Sequence, residues 1–244
     1  MNKNIPAENK IRVKVSGSYA LYTRIEFKAE RVSYDILTPS AARGILEAIY
    51  WKPQFRWVID RIYVLNPIRF TNIRRNELGR PISSKAVLKA MRNPSIDPTQ
   101  DINALRQQRA SMVLKNVSYV IEAYPQILQF RMNKGEPLCP GGCLVRKHTE
   151  MFKRRVSKGQ CFHHPYFGCR EFPVEKLELV ETVEEIPAPH EELAGKKDLS
   201  YILHDIQFDQ DHKTKRVKKL TSQFFRARLQ NGVLEVPPLP PHDY

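Results

Sequence analysis

The sequence contains no long run of apolar residues. None of its 244 residues falls in a stretch of the ~18 consecutive apolar residues that a membrane-spanning helix needs. The first six residues, Met1 to Pro6, also lack the apolar core of a secretory signal peptide. We therefore expect a cytoplasmic protein without a membrane segment, in which the four cysteines are reduced.

Acidic residues are scarce relative to basic ones. The chain has 26 Asp and Glu against 40 Lys and Arg, which gives a formal net charge of +14. Lysine and arginine displace the counterions condensed on phosphates, so a surplus of this size favours a nucleic-acid partner. The alternative is a soluble protein that is merely basic. The hydrophobic content of 41% excludes a disordered chain.

Several motifs of enzyme chemistry are missing. The sequence has no phosphate-binding P-loop, no Gly-x-Ser-x-Gly element and no paired-carboxylate metal motif, so we predict no metal ion and no cofactor. The cysteines leave one alternative open, because Cys and His are zinc ligands. The residues concerned are Cys139, Cys143, Cys161, His163, His164 and Cys169. Their spacing is loose for a zinc site, and buried or incidental thiols are the competing interpretation.

Hydrophobic periodicity predicts an α+β protein. Apolar residues alternate with charged ones from Ile11 to Val15, as in a half-buried strand. Thr38 suits a helix cap and Pro39 the first helical position, so a helix is predicted from there to about Trp51. Further strands are predicted at 55–65, 113–124 and 174–180, and a second helix at 146–158.

This β-α-β-β-α-β order is that of a ferredoxin-like domain of the RNA-recognition-motif type. We predict that this domain spans residues 1–182 and carries an insertion at about 66–110, with a short helix at 83–92. Residues 183–244 are predicted to form an acidic linker and a small antiparallel β-sheet domain. Asn231-Gly232 indicates a hairpin turn in that sheet, since both residues tolerate positive φ.

Two places in the sequence could carry chemistry. Arg146-Lys147-His148 opens the predicted second helix, where unpaired N–H groups suit a phosphate; His148 could transfer a proton and Lys147 could stabilise negative charge. The alternative is a solvated basic helix face. Tyr50 is predicted on the polar face of the first helix with Arg43 and Glu47, close enough to approach the second helix. The alternative is a tyrosine at the edge of the core.

Basic clusters predict contacts to an RNA backbone. The second helix holds six Lys and Arg against one Glu, and residues 213–228 hold seven basic residues and no acidic one. We predict that Arg43, Lys52, Arg146, Arg154, Arg155 and Lys158 bind RNA. The aromatic residues interleaved with these clusters, Tyr166, Phe167, Phe224 and Phe225, could stack on bases, although Phe224 or Phe225 could instead belong to the core.

Blocks of sequence along nearly the whole chain closely resemble one family. The blocks are Tyr19-Ala-Leu-Tyr-Thr-Arg24, Glu30-Arg-Val-Ser-Tyr-Asp35, Thr38-Pro-Ser-Ala-Ala-Arg-Gly-Ile-Leu-Glu-Ala-Ile-Tyr-Trp-Lys-Pro53, Arg109 to Tyr119, Arg146-Lys-His148, Phe167-Gly-Cys-Arg-Glu-Phe172, Leu203-His-Asp205, Phe225-Arg-Ala227 and Asn231-Gly-Val-Leu-Glu-Val-Pro237. They resemble the subtype I-C (Dvulg-type) branch of the fifth CRISPR-associated protein family.

The resemblance implies a fold and an activity. It implies a ferredoxin-like domain followed by a small sheet, and metal-independent cleavage of CRISPR precursor RNA at the base of the repeat hairpin. The family's tyrosine and lysine-histidine pair match Tyr50, Lys147 and His148 by motif position. The resemblance also implies retention on the 5′ handle of the mature crRNA, with the backbone and large subunits of the type I-C interference complex (Cascade) as partners.

The reaction expected from these residues is attack by the RNA's own 2′-hydroxyl on the adjacent phosphate. His148 is expected to transfer a proton at or near the leaving oxygen, Lys147 to stabilise the phosphorane, and Tyr50 to orient or help activate the nucleophile. His163 and His164 are competing proton donors. The alternative from another class is a non-catalytic subunit that only caps the crRNA, and a weaker one is a zinc-stabilised nucleic-acid-binding protein.

Overall fold

The computed structural model describes residue 6 and residues 9–27, 30–128, 141–210 and 217–238. In these ranges the chain forms four helices and nine strands, and a 3₁₀ turn at Glu191–Leu193. The strands are β1 (Ile11–Ala20), β2 (Arg31–Val32), β3 (Phe55–Val64), β4 (Phe70–Leu78), β5 (Arg106–Ile127), β6 (Lys176–Leu179), β7 (Lys196–Gln210), β8 (Val217–Gln230) and β9 (Val233–Glu235). The helices are α1 (Pro39–Ile49), α2 (Ser84–Arg92), α3 (Ile102–Leu105) and α4 (Gly141–Ser157).

The strands form one sheet that is mainly antiparallel, within a mixed α/β architecture. The strand order is β6-β1-β5-β3-β9-β8-β7, with every neighbouring pair antiparallel, while β2 and β4 join the long strand β5. The predicted α+β class and the four predicted strands of the amino-terminal region are confirmed in outline. Strand β9 of the second predicted domain pairs with β3 of the first. The division into two domains at residue 182 stays a prediction.

Helices α1 and α4 cover one face of the sheet. The side chains of Ile45, Leu46 and Ile49 on α1 are buried, and Phe152 of α4 packs edge-on against Trp57 of β3 with ring centroids 5.0 Å apart. The outer face of the sheet carries a smaller apolar cluster of Leu65, Val120 and Val180. Polar residues of this outer face form ion pairs, as in the buried pair between Arg12 Nε and Glu122 Oε2 at 2.6 Å. The fold therefore brings α1 and α4 onto the same side of the sheet, which positions the site described below.

Local sequence signals set the ends of some elements. Thr38 caps α1 by accepting a hydrogen bond from the Ala41 N–H, and Pro39 occupies the first turn, as predicted. The hairpin turn at Asn231-Gly232 is also confirmed, with φ of 50° and 76° at the two residues. A Cβ at Gly232 would lie 2.9 Å from the Val64 carbonyl oxygen, so glycine is required there for space as well as for φ.

Other boundaries differ from the prediction. Helix α1 ends at Ile49 instead of about Trp51, and α4 begins at Gly141 instead of Arg146. The predicted insertion at 66–110 contains the short helix α2 as expected, but it also contains β4, which pairs along the first half of β5. Within the described part of the chain, none of the helices combines the length and apolarity that crossing a membrane requires.

Candidate active site

Tyr50 and His148 form a hydrogen-bonded pair beneath the two helices. The Tyr50 hydroxyl lies 2.9 Å from His148 Nδ1, although the two residues are 98 positions apart in the chain. Tyr50 is the residue at which α1 ends: its backbone N–H still donates to the Leu46 carbonyl, while its own φ of −152° and ψ of 124° are extended. This change of backbone direction turns the phenol toward α4, which carries His148 in its second turn.

The pair is buried among aromatic side chains. Tyr50 is 3% exposed and His148 is 1% exposed. The ring of Phe55 lies against both, at centroid distances of 5.7 Å from Tyr50 and 4.5 Å from His148, and the guanidinium of Arg155 covers the Tyr50 ring at 5.0 Å. The second imidazole nitrogen, His148 Nε2, is buried and has no hydrogen-bond partner within the described residues. A catalytic role is one explanation for a buried polar atom without a hydrogen-bond partner.

Two details of the site differ from the sequence prediction. Tyr50 does not share the polar face of α1 with Arg43 and Glu47, because the helix has ended before it and the ring points inward. Nor do Arg146, Lys147 and His148 open their helix, since α4 begins at Gly141. The unpaired N–H groups of a helix end therefore do not account for a phosphate site at these residues.

The end of α1 is held by groups from other elements. The carbonyl oxygen of Ala48 accepts hydrogen bonds from the backbone N–H groups of Phe162 and His163, at 2.8 and 3.2 Å. The carbonyl of Ile49 accepts from Arg155 Nη1 at 2.8 Å, and that of Tyr50 accepts from Trp57 Nε1 at 2.9 Å. These carbonyls would otherwise be unpaired at a helix end. The network fixes the position of Tyr50 relative to α4 and the segment that follows it.

The surroundings keep both members of the pair neutral at neutral pH. Burial raises the pKa of the Tyr50 hydroxyl above its usual value, and the positive charges of Arg155 and Arg154 only partly oppose this. Burial also lowers the pKa of the His148 imidazole, and the nearby charges of Lys147 and Lys52 lower it further. With both groups neutral, the hydrogen bond fits two arrangements: the Tyr50 O–H donates to Nδ1 and the imidazole proton is on Nε2, or Nδ1–H donates to the phenol oxygen and Nε2 is free to accept a proton.

Three of the six predicted RNA-binding cations lie near this pair, together with the predicted catalytic residue Lys147. Lys52, Lys147, Arg154 and Arg155 are near enough for their charges to act on Tyr50 or His148. The side chains of Lys52, Lys147 and Arg154 are exposed, whereas Arg155 is half-buried. Arg146 and Lys158 are also exposed on α4 and directly after it, but no direct contact joins them to the pair. The exposed cations form a positively charged surface around a buried acid–base pair.

Arg43 lies elsewhere, in an ion-pair network between α1, β3 and β7. Its guanidinium binds both carboxylate oxygens of Asp205, with Nη2 and Oδ1 2.7 Å apart, and Arg56 Nη2 binds the same carboxylate at 2.8 Å. Arg43 also pairs with Glu47 one turn along α1. These contacts give Arg43 a structural role that the sequence prediction missed. The sequence block Leu203-His-Asp205 contains the partner residue, but nothing in the sequence indicated that Asp205 pairs with Arg43.

This network predicts a large difference between two aspartates of the same strand. Asp205→Ala is expected to lower the free energy of unfolding by about 2–3 kcal/mol, since it leaves two half-buried guanidinium groups without their carboxylate. Asp198→Ala is the matched control, because its pair with Arg226 is exposed and is expected to contribute little to the free energy of unfolding. Urea denaturation of both variants measures the difference. Equal effects of the two substitutions would contradict the assigned role.

The competing histidines have neighbours other than the Tyr50–His148 pair. His163 is exposed and packs against Phe162, while His164 Nε2 lies 3.0 Å from the Val174 carbonyl oxygen. Neither contacts Tyr50 directly. Among the described residues, no three His, Cys, Asp or Glu side chains are grouped closely enough to hold a metal ion. Cys139 and the side chain of Cys143 lie outside the described residues, so the zinc interpretation stays open.

A known protein family matches almost the entire chain. The family model described as "CRISPR-associated protein (Cas_Cas5)" matches residues 10–237. The match, which includes both α1 and α4, defines the class: the chain is a CRISPR-associated protein. More particularly, it belongs to the Cas5 family, as the resemblance of its sequence blocks predicted.

Two curated relatives bear the name CRISPR pre-crRNA endoribonuclease Cas5d. One, from Mannheimia succiniciproducens, is 48% identical over 232 residues, which is 94% of this chain and 96% of the relative. The other, from Thermus thermophilus, is 38% identical over 239 residues, covering 93% and 91% of the two chains. A solved structure titled as a CRISPR-associated protein has a TM-score of 0.60 at 22% identity and covers 94% of this chain and 92% of its own. At that identity the likeness concerns the fold alone.

Proposed function

We propose that this protein is a metal-independent endoribonuclease that cleaves CRISPR precursor RNA at the base of the repeat hairpin. The observation that carries the proposal is the hydrogen bond between Tyr50 and His148, which joins two groups capable of proton transfer from two different helices. The endoribonuclease names of relatives at 48% and 38% identity support it independently. The positively charged surface around the pair suits an RNA backbone.

The reaction proceeds by attack of a ribose 2′-hydroxyl on its own 3′-phosphate. The bond to the 5′-oxygen of the next nucleotide breaks, which gives a 2′,3′-cyclic phosphate and a 5′-hydroxyl fragment. His148 transfers a proton through Nε2, the nitrogen that the Tyr50 hydroxyl leaves unbonded. Tyr50 fixes the orientation and tautomer of the imidazole, as orienting partners of histidine do in other acid–base sites. Lys147 stabilises the negative charge of the phosphorane.

Burial of the pair has a consequence for substrate binding. A phosphate reaches His148 Nε2 only when the neighbouring side chains shift, because the imidazole is 1% exposed. The same burial excludes water and so strengthens the electrostatic interactions of the pair with a bound phosphate. Lys52, Arg146, Arg154, Arg155 and Lys158 supply the contacts that hold the RNA above it. Arg43 contributes through its support of β7.

Incubation of the purified protein with repeat RNA in excess EDTA tests the proposal. Cleavage is expected to continue at the rate measured without EDTA, because the proton-transferring groups are all side chains of the chain itself. The downstream fragment is expected to carry a 5′-hydroxyl, which polynucleotide kinase labels without prior phosphatase treatment. Loss of cleavage in EDTA would contradict metal independence.

Binding of the repeat RNA without cleavage, with or without added divalent ions, would instead support the alternative of a non-catalytic subunit that caps the crRNA. Metal analysis of the protein before EDTA treatment separates the zinc-stabilised alternative. A stoichiometric zinc ion that the protein needs for folding, and not for the chemical step, would support that structural role.

The domain organisation proposed here is a ferredoxin-like domain at residues 1–182 followed by a smaller sheet at 183–244. The order β6-β1-β5-β3, with α1 after β1 and α4 after β5, supports this assignment. It is the order expected when a β-α-β-β-α-β chain folds into a four-stranded antiparallel sheet with both helices on one face. The insertion at 66–110 extends β5 beyond that sheet through its pairing with β4.

We also propose that the protein stays on its product. In this proposal it remains bound to the 5′ handle of the crRNA and joins the backbone and large subunits of the type I-C interference complex in the cytoplasm. The net charge of +14 supports lasting contact with RNA, because each phosphate contact releases counterions.

A further inference from the structure

A cavity of about 320 Å³ opens beside α1 on the side of the segment that follows α4. This volume lies in the usual range for small-molecule sites. Three tyrosines, Tyr22, Tyr34 and Tyr166, contribute aromatic rings to its wall, and none of the ten lining residues is charged. Thr23, Thr38 and Ser40 also line it. The Tyr34 hydroxyl is buried and has no hydrogen-bond partner within the described residues.

Gly44 has no structural reason to be glycine. It lies in the middle of α1 with ordinary helical φ, where glycine is among the least favourable residues. A Cβ built at this position meets no atom within 4 Å, so close packing does not require glycine either. Gly44 lines the cavity. The absent side chain therefore leaves the cavity open, at the expense of helix stability.

A row of aromatic rings connects this cavity with the Tyr50 end of α1. The backbone of Phe162 and His163 is anchored to the Ala48 carbonyl, two residues before Tyr50. The Phe162 and His163 rings are 5.7 Å apart, and the His163 and Tyr166 rings are 6.3 Å apart. Phe162 is 84% exposed, an unusual state for a ring whose backbone is fixed. The row thus begins beside the candidate active site and ends at a wall of the cavity.

We propose that the cavity holds one unpaired nucleotide of the RNA substrate, and that Phe162, His163 and Tyr166 stack with the strand between that nucleotide and the scissile phosphate. This inference rests on the proposed function. Aromatic rings accept any base by stacking, and hydroxyls bond to base edges and to the ribose. Exposed Lys52 and Arg154 near the Tyr50 end supply the positive charge that an RNA strand needs.

Gly44→Leu tests the proposal, with Gly44→Ala as the matched control. Both substitutions favour the helix, so neither is expected to lower the melting temperature. Leucine extends into the cavity, whereas alanine adds one methyl group. Measured by fluorescence anisotropy on repeat RNA that carries a 2′-deoxy nucleotide at the cleavage site, the Kd is expected to rise about 5- to 100-fold for Gly44→Leu, the range of one lost base stack, and to stay unchanged for Gly44→Ala.

Equal RNA affinities of the two folded variants would overturn the nucleotide pocket. So would a Gly44→Leu protein that binds free repeat RNA normally but fails to join the other subunits, because the occupant would then be a protein. If neither the wild type nor Gly44→Ala binds repeat RNA, the proposed function itself fails. Should Gly44→Leu melt early, Tyr166→Ala against Tyr166→Phe decides the question: weaker RNA binding by the alanine variant alone supports the stacking row, and equal binding overturns it.

Discussion

Replacing His148 with alanine is expected to lower the rate of repeat-RNA cleavage by about 10²–10⁴-fold, the usual contribution of a general acid or base. RNA affinity is expected to stay near that of the wild type, because the cations that hold the backbone surround His148 and do not include it. Single-turnover cleavage at saturating protein measures the first quantity, and fluorescence anisotropy on repeat RNA with a 2′-deoxy nucleotide at the cleavage site measures the second.

Two controls separate chemistry from folding. The His148 ring is buried against Tyr50 and Phe55, so alanine leaves a cavity, and His148→Asn provides a variant that fills more of that space. His164→Ala is the matched control for a histidine on the surface, since its side chain is exposed and belongs to a competing candidate. Cleavage near the wild-type rate by folded His148→Ala and His148→Asn would rule out the assignment.

The pH dependence of the same assay identifies the direction of proton transfer. Burial and the charges of Lys147 and Lys52 lower the pKa of His148, so its titration lies below the ordinary value of 6.5. If the neutral imidazole accepts a proton, the rate is constant at neutral pH and falls as the pH drops through this pKa. If the imidazolium donates, the rate falls as the pH rises through it. Either inflection should disappear in His148→Asn.

Tyr50→Phe is expected to lower kcat by about 10²-fold or more, with little change in KM. The substitution removes only the hydroxyl that bonds His148 Nδ1, and it keeps the ring that packs against Phe55 and beneath Arg155. Without that hydrogen bond the imidazole loses its fixed orientation and can adopt the other tautomer. Because the protein is proposed to stay on its product, both quantities are measured by single-turnover cleavage over a range of protein concentrations, in which a loss of binding would raise KM instead.

Tyr124→Phe serves as the control for loss of a phenol in the same assay. Tyr124 is a half-buried residue of β5 that pairs with Val58, on the sheet face away from the two helices. This variant should cleave like the wild type. A Tyr50→Phe protein with unchanged kcat would show that the hydrogen bond to His148 is structural, and the orienting role of Tyr50 would have to be abandoned.

The sequence predicted those elements whose signals are local. Thr38 and Pro39 start α1 because a side-chain oxygen and a ring with fixed φ act on the adjacent turn. Asn231-Gly232 forms its turn for a similarly local reason. Strand β4 was missed because exposed and half-buried residues alternate along it with no fully buried position, so its hydrophobic pattern is weak. Its pairing with the first half of the much longer β5 is a tertiary contact that periodicity does not encode.

The candidate site was predicted in its members but not in its geometry. Tyr50 and His148 came from residue chemistry together with the resemblance, yet the inward turn of Tyr50 depends on where α1 stops. That end is set by distant groups, Arg155, Trp57 and the backbone after α4, which no local pattern reveals. Arg43 was predicted to bind RNA; its neighbour Glu47 is visible in the sequence, but its pairing with a carboxylate of β7 is not. Its partner, Asp205, follows 162 residues later.

The short strand β9 limits where the chain can be truncated or fused to a tag. It lies between β3 and β8 and pairs with both strands. Its three residues therefore shield backbone groups of β3 that would otherwise face solvent. An open strand edge recruits other chains. A truncated protein that ends before Val233 would expose such an edge and self-associate, whereas a tag placed after Pro238 would leave it covered.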